Sequence, residues 1–303
     1  MTFIRWRGGK VNLLPQLNEL LPDMYSAKGY IEPFIGGGSV FFFLMESHKG
    51  ALINKPIYIS DINPELINCY KVVRDKVNKL IPVLEKHQKS NCEKHFYKIR
   101  DVYPPGNNLS DVEKASMFIY LCNTCFGGEW RVNKEGKFNK AYGGQDNARV
   151  FDKEELLRCS ALLKGVKLNV MSFEKIVNIK NVGNFFVYLD PPYFDIGNNN
   201  YTQYSKDGFH LTKRSFIKPT LKKLDKLGCK FMMSNSSKSV LEQDYKEFNV
   251  IRLQTKRMRG VALDKVTKGK IEDAERLEEM VIANYEPIKR QKSIDEAWGI
   301  IDT

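Results

Sequence analysis

Long hydrophobic runs are missing from this 303-residue chain. No stretch approaches the roughly 20 apolar residues that a membrane-spanning helix needs, which excludes a helical membrane protein. The opening residues Met1 to Lys10 lack the charged start and apolar core of a signal peptide, so a cytoplasmic location is expected. Cysteine is sparse. Cys69, Cys92, Cys122, Cys125, Cys159 and Cys229 lie scattered, an unusual basis for a disulfide framework in a chain this long. Cys122 and Cys125 form a single CxxC, and Cys92 with His95 a CxxH, together enough to supply four zinc ligands. The apolar stretch Ala115 to Cys125 reads instead as a helix that buries Cys122, and no metal is expected. No internal repeat is visible.

What the chain does have is positive charge. It carries 48 Lys and Arg against 36 Asp and Glu, a net +12 with a pI near 9.2. Such an excess favours polyanionic partners, because each phosphate neutralised releases a counterion. A hydrophobic content of 42% leaves ample material for a sizeable core.

Short runs rich in β-branched and aromatic residues read as buried strands over 29–34, 56–60, 166–171, 185–189, 229–234, 248–253 and 280–285. Helical stretches fall between several of them, at 39–47, 64–73, 153–163 and 212–227. That alternation predicts an α/β fold built on an open, doubly wound sheet with helices on both faces. The stretch from 71 to 149 breaks the rhythm. It offers helices at 78–87 and 112–121, then a segment from Cys125 to Tyr142 dense in Gly, Asn, Lys, Arg and aromatics. It reads as an inserted, mainly helical lobe with a hairpin. The polar stretch 195–209 reads as a mobile surface loop, and 260–270 as a hairpin arm before a last helix. The tail after Pro287 suggests no function.

The first expected strand runs directly into Gly36-Gly37-Gly38-Ser39 and a helix. Without Cβ atoms, such a turn lets backbone approach a ligand closely. The second strand closes on Asp61, a carboxylate suited to the ribose hydroxyls of an adenosine moiety. A dinucleotide fingerprint would place a third glycine where Phe41 stands, so NAD is disfavoured. A sulfonium nucleoside carries no phosphate and has no such need.

The strand 185–189 ends in Asp190-Pro191-Pro192-Tyr193. The amino nitrogen of adenine is a poor nucleophile, because its lone pair is delocalised into the ring. Two acceptors aimed at its N–H bonds, the Asp190 carboxylate and the Pro191 carbonyl, can hold it and favour lone-pair density on nitrogen. The paired prolines Pro191 and Pro192 fix that geometry in advance. Tyr193 offers a face on which an extruded base can stack. The loop that follows carries Tyr201, Tyr204 and Phe209, aromatics able to close over the base.

Together these residues resemble the Dam-like class of DNA adenine methyltransferases. The resemblance spans nearly the whole chain. It comprises Arg5-Trp6-Arg7-Gly8-Gly9-Lys10, then Glu32-Pro33-Phe34-Ile35-Gly36-Gly37-Gly38-Ser39, then Ser60-Asp61-Ile62-Asn63. Asp190 to Tyr193, Asn200-Tyr201-Thr202 with Tyr204 and Phe209, and Ser234-Asn235 complete it. It implies a Rossmann-like sheet that binds S-adenosylmethionine, formed by residues 1–70 and 150–303, with 71–149 as target-recognition domain. It implies cofactor contacts from Trp6, Lys10, Phe34, Gly36, Gly38, Asp61, Ile62 and Asp190. It implies contacts to double-stranded DNA from Arg5, Arg7, Lys10, Glu129, Trp130, Arg131, Asn139 and Tyr204, with Arg131 reading a guanine.

Relatives that read GATC carry an aromatic-Asn-Gly-Leu stretch where this chain has Phe126-Gly127-Gly128-Glu129. Glu129 can accept a hydrogen bond from cytosine's amino group, so a short target other than GATC is expected. The same acceptor geometry would serve cytosine or an RNA base, and a repressor could keep the fold without the chemistry. Intact Asp61 and Asp190 to Tyr193 argue against the repressor, since binding alone requires neither. A restriction endonuclease partner is compatible with these residues and is not written in them.

Overall fold

A computed structural model describes residues 2–104, 106, 108–192, 215–236, 243–256 and 276–287. In chain order the helices are α1 (Leu14–Glu19), α2 (Ser39–Ser47), α3 (Lys49–Leu52), α4 (Pro64–Lys89), α5 (Glu93–Asp101), α6 (Asp111–Thr124), α7 (Lys153–Leu162) and α8 (Ile217–Lys226). The strands are β1 (Tyr30–Glu32), β2 (Ile57–Asp61), β3 (Lys167–Val170), β4 (Phe186–Leu189), β5 (Lys230–Ser236), β6 (Asn249–Lys256) and β7 (Arg276–Ala283).

These strands form one seven-stranded sheet in the order β3-β2-β1-β4-β5-β7-β6. The first five are parallel, and β7 runs antiparallel to both β5 and β6. The chain winds outward from β1 to β3, then returns to β4 on the other side of β1. That reversal opens a crevice at the carboxyl ends of β1 and β4, where open α/β sheets take their ligands.

A parallel sheet needs cover on both faces, and β4 shows how the sequence provides it. Phe186 and Tyr188 point into a core shared with α2, α4, α6 and α7, while Val187 and Leu189 point into a second core with α8 and the turn Phe173–Asn178. All four are buried. Among the described residues no helix is long and apolar enough to cross a membrane.

Two helices expected at 64–73 and 78–87 are one, α4, kinked between them. Lys76 alone departs from helical angles (φ −134°, ψ 24°), and Pro82 sits inside the helix, where it withholds a backbone donor. Asn63 caps the start, its side chain accepting from Leu66 N at 3.1 Å, with Pro64 in the first turn. Helix α6 opens on a capping box of Ser110 and Glu113 and is buried from Ala115 to Thr124. Cys122 therefore faces core. His95 shares a 3.0 Å hydrogen bond with His87. No group of three or more His, Cys, Asp or Glu among the described residues is placed to hold a metal.

From Thr124 to Gly143 the chain folds back on itself. Bridges pair Cys125 with Tyr142 and Val132 with Phe138, and the tip turns through Asn133 to Gly136. Two expectations need correction at element ends. Helix α8 begins at Ile217, later than the expected 212, although 212–214 lie outside the described residues. The last helix expected after 270 is not found at 276–283: β7 starts at Arg276, because its residues complete the ladder with β6. Residues 260–270 and the tail beyond 287 lie outside the described residues.

Candidate active site

The carboxyl ends of β1, β2 and β4 converge on one open cleft, with about 940 Å³ of empty space counting its mouth. After β1 the backbone turns through Gly36 (φ +45°) and Gly38 (φ +76°), conformations that favour glycine. Space demands glycine as well. A Cβ on Gly38 would lie 2.6 Å from Tyr70 Oη, and one on Gly36 would lie 2.9 Å from the Trp6 ring. Tyr70 Oη donates to the Gly36 carbonyl at 3.0 Å, which ties the turn to α4.

Asp61 ends β2 beneath that turn. It accepts from Gly36 N at 3.3 Å and Asn63 N at 3.0 Å. Burial pushes its carboxyl up to about 6, although these backbone donors pull the other way. Asp190 follows β4, and its Oδ1 lies 2.7 Å from Lys10 Nζ. Lys10 is only 3% exposed and Asp190 partly exposed at the cleft, so a buried cation meets a carboxylate 180 positions away in sequence. Its ammonium also donates to Gly8 O at 3.0 Å, and its backbone N to Ser39 Oγ at 3.1 Å. Trp6 completes that wall, stacked on Phe118 of α6 at 6.2 Å. Phe34, Ile62, Pro191 and Pro192 line the same cleft.

Beside the cleft, residues 5–7 run against the start of the hairpin. Arg5 N donates to Asn123 Oδ1 at 2.7 Å, and a Cβ on Gly128 would lie 3.1 Å from Arg5 Cβ. The Glu129 carboxylate pairs with Arg7 through one oxygen and with Lys140 Nζ, at 2.8 Å, through the other. Burial alone would raise the Glu129 carboxyl, but the bonds from Lys140 and Arg7 outweigh it and hold it low. Across the hairpin, Arg131 Nε donates to Asn139 Oδ1 at 2.9 Å.

A sequence model of the D12 class N6 adenine-specific DNA methyltransferases matches residues 6–259. The chain belongs to that family. It is 36% identical to Type II methyltransferase M.MjaIII of Methanocaldococcus jannaschii, over 93% of this chain and 98% of that one. It is 35% identical to Type II methyltransferase M1.LlaDCHI of Lactococcus lactis, over 93% and 95%. It is 26% identical to a DNA adenine methylase of Haemophilus influenzae, over 74% and 75%. Among solved structures, an rRNA methyltransferase, aviRa of Streptomyces viridochromogenes, aligns at 12% identity over 88% of this chain and 79% of that one, with a TM-score of 0.30.

In this adenine-specific DNA methyltransferase, the sequence motifs assigned to cofactor contact all reach the one cleft. Tyr193, Tyr201, Tyr204 and Phe209 lie outside the described residues, as does the loop 195–209. Glu32 and Tyr188 also line the cleft, and the sequence reading gave them no role. Glu32 is buried and accepts from Tyr30 Oη at 2.5 Å. Burial pushes its carboxyl well above the usual range, opposed by the Tyr30 bond and reinforced by Asp190. A carboxylate at the end of an otherwise apolar strand, just before the glycine turn, was the available signal. Tyr188 Oη shares a 2.8 Å hydrogen bond with Ser234 Oγ, which joins β4 to the Ser234-Asn235 motif on β5.

Trp130 requires correction. Expected at the DNA, it is only 2% exposed, its ring centroid 4.2 Å from Phe118 and 4.8 Å from Phe138. It is the apolar floor of the hairpin. Trp130→Ala is expected to cost about 3–5 kcal/mol of stability in urea denaturation. Trp130→Phe should cost far less, since the buried indole N–H has no hydrogen-bond partner to lose. Equal, small effects of both variants on unfolding, with DNA binding lost in both, would return Trp130 to the interface.

Proposed function

We propose that the cleft binds S-adenosylmethionine and that the turn after β4 holds an adenine flipped out of duplex DNA for methylation of its amino nitrogen. One observation carries this reading: the glycine turn, Asp61 and Asp190 share a single cleft at the switch point of the sheet. The sheet is then read as the Rossmann-like sheet of an S-adenosylmethionine-dependent enzyme, formed by residues 1–70 and 150–303. Residues 71–149 are read as the target-recognition domain.

The lining suits a nucleoside without phosphates. Of the cations at the cleft, Lys10 is paired with Asp190 and Arg7 with Glu129. Phe41, at the third-glycine position of a dinucleotide site, is wholly buried. The turn brings bare backbone to the ligand, and Asp61 supplies acceptors for ribose hydroxyls. When bound, S-adenosylmethionine supplies an electrophilic methyl on sulfur.

The protein's own part is positioning. Lys10 fixes one Asp190 oxygen, so the carboxylate is oriented before substrate arrives. Asp190 and the Pro191 carbonyl accept the two N–H bonds of adenine's amine and aim its nitrogen at the methyl. Proximity with oriented acceptors would lower the barrier to a single displacement at that methyl, with S-adenosylhomocysteine as leaving group and the surplus amine proton passing to Asp190 or to solvent. Unstacking the base costs a few kcal/mol, which contacts from Tyr193 and the recognition domain are read to offset.

Tritium from labelled S-adenosylmethionine should enter duplex DNA, and mapping of modified bases in DNA from expressing cells should find adenine in one short sequence. Glu129 stands where GATC readers carry leucine, so that sequence is expected to differ from GATC. Absence of transfer to any DNA would overturn the reading. The relatives named Type II methyltransferases fit a role beside a restriction endonuclease.

Asp61 gives a pH prediction. Ribose hydroxyls bond best to the ionised carboxylate, whose pKa in the unliganded protein lies at about 6. Cofactor affinity should therefore fall as pH drops through that value, by about 10-fold between pH 7.5 and 5. In the unliganded protein the sign reverses. A raised acid pKa contributes stability that is present below the unfolded value and lost as pH rises through the folded one. Asp61→Asn should flatten the binding profile in calorimetric titrations across this range. An unchanged slope in that variant would remove Asp61 from the ribose site.

A further inference from the structure

We infer that Arg7 reads a guanine in the target sequence and that Glu129 acts through Arg7 as a positioning residue. This rests on the DNA-methylating reading of the cleft. Glu129 was expected to read a base itself, through cytosine's amino group, with Arg7 among the other DNA contacts. The geometry points elsewhere. The Glu129 side chain is 14% exposed and Lys140 12%, whereas Arg7 is 62% exposed. Both Glu129 oxygens already face cations, Arg7 on Oε1 and Lys140 on Oε2. A neutral amino group would have to displace one of them to reach the carboxylate.

A carboxylate clamped this way is a buttress. It restrains the guanidinium through Nη1, and a restrained guanidinium offers the paired donors that match guanine O6 and N7 in the major groove. The three side chains sum to one positive charge, which suits a surface facing phosphates. Position supports the same role. Arg7 lies beside Arg5, whose stem packs on Gly128, and Glu129 is two residues before Arg131 in the hairpin. Arg7 also lines the cleft, between Trp6 and the Gly8–Lys10 segment whose lysine orients Asp190. A correct base pair under Arg7 therefore steadies the segment that carries Lys10. The recognised sequence contains a G·C pair at this corner in addition to any read by Arg131.

The test is methylation of a duplex library randomised around the mapped adenine, by wild type, Arg7→Ala, Glu129→Gln and the double variant. Wild type should require a G·C pair at one position. Arg7→Ala should lower methylation of the cognate site by about 10- to 100-fold and lose the preference there, with preferences elsewhere kept. Glu129→Gln should blur the same position by a smaller factor, and the double variant should be no worse than Arg7→Ala. Where a variant turns over too slowly, the preference is read from the duplexes it retains instead. Preference intact in Arg7→Ala but lost in Glu129→Gln would show Glu129 reading the base itself and overturn the inference. So would preferences unchanged in every variant. A wild-type protein that methylates no member of the library would instead defeat the functional reading beneath it.

Discussion

Asp190→Asn is expected to slow methyl transfer about 100- to 1,000-fold while DNA binding stays within a few-fold of wild type. The amide keeps the shape of the side chain but replaces one acceptor with a donor. With the amide oxygen kept by Lys10, the NH2 would point at the amine in the proposed pose. The Lys10 pair decides which variant is most informative. That ammonium is 3% exposed and sits 2.7 Å from Asp190 Oδ1. Asp190→Ala strips it of its carboxylate, at a cost of about 3 kcal/mol or more in stability. Asn retains an oxygen for Lys10, so it separates chemistry from folding. Rapid-quench transfer rates beside gel-shift affinities make the comparison. Near-normal turnover in Asp190→Asn would defeat the assignment of this carboxylate.

Gly38→Ala should cost both stability and cofactor affinity, because two independent penalties meet there. Its φ of +76° is left-handed, a region worth roughly 1–2 kcal/mol against any residue with a Cβ. The added carbon would also stand 2.6 Å from Tyr70 Oη and 3.0 Å from Phe42. Tyr70 is fully buried, with Phe3 at 5.0 Å, and it anchors the Gly36 carbonyl. It cannot retreat without moving the turn. Together these predict a loss of about 2–4 kcal/mol in urea denaturation. They also predict S-adenosylmethionine binding at least about 10-fold weaker by calorimetry, since the displaced backbone lines the proposed cofactor cleft. Stability and affinity both unchanged would mean the turn is looser than its contacts indicate.

Much of the cleft was legible because its chemistry sits at strand ends, where short local patterns fix geometry. The glycine turn and Asp190-Pro191-Pro192 each follow a strand and Asp61 closes one, and a doubly wound sheet delivers such ends to one edge. What was not legible depends on partners distant in sequence. Nothing near Lys10 announces a carboxylate at 190, and nothing near Glu129 announces Arg7 and Lys140 closing on it. Trp130 reads the same in sequence whether it faces solvent or core, and only the enclosing rings of Phe118 and Phe138 decide. The run Arg276-Leu277-Glu278-Glu279 has helical propensity, yet pairing with β6 makes it strand, as tertiary context often does for short segments. The kink at Lys76 fell where the two expected helices left a gap, so that boundary was visible although the continuity of α4 was not.

The most direct measurement is a crystal structure of the methyltransferase with S-adenosylhomocysteine and a duplex carrying its target adenine. The account predicts the adenine outside the helix, its amino nitrogen about 3 Å from both the Asp190 carboxylate and the Pro191 carbonyl. The homocysteine sulfur should face the same nitrogen, with the ribose on Asp61. An adenine still stacked in the duplex, or extruded with its amine turned away from residues 190 and 191, would contradict it.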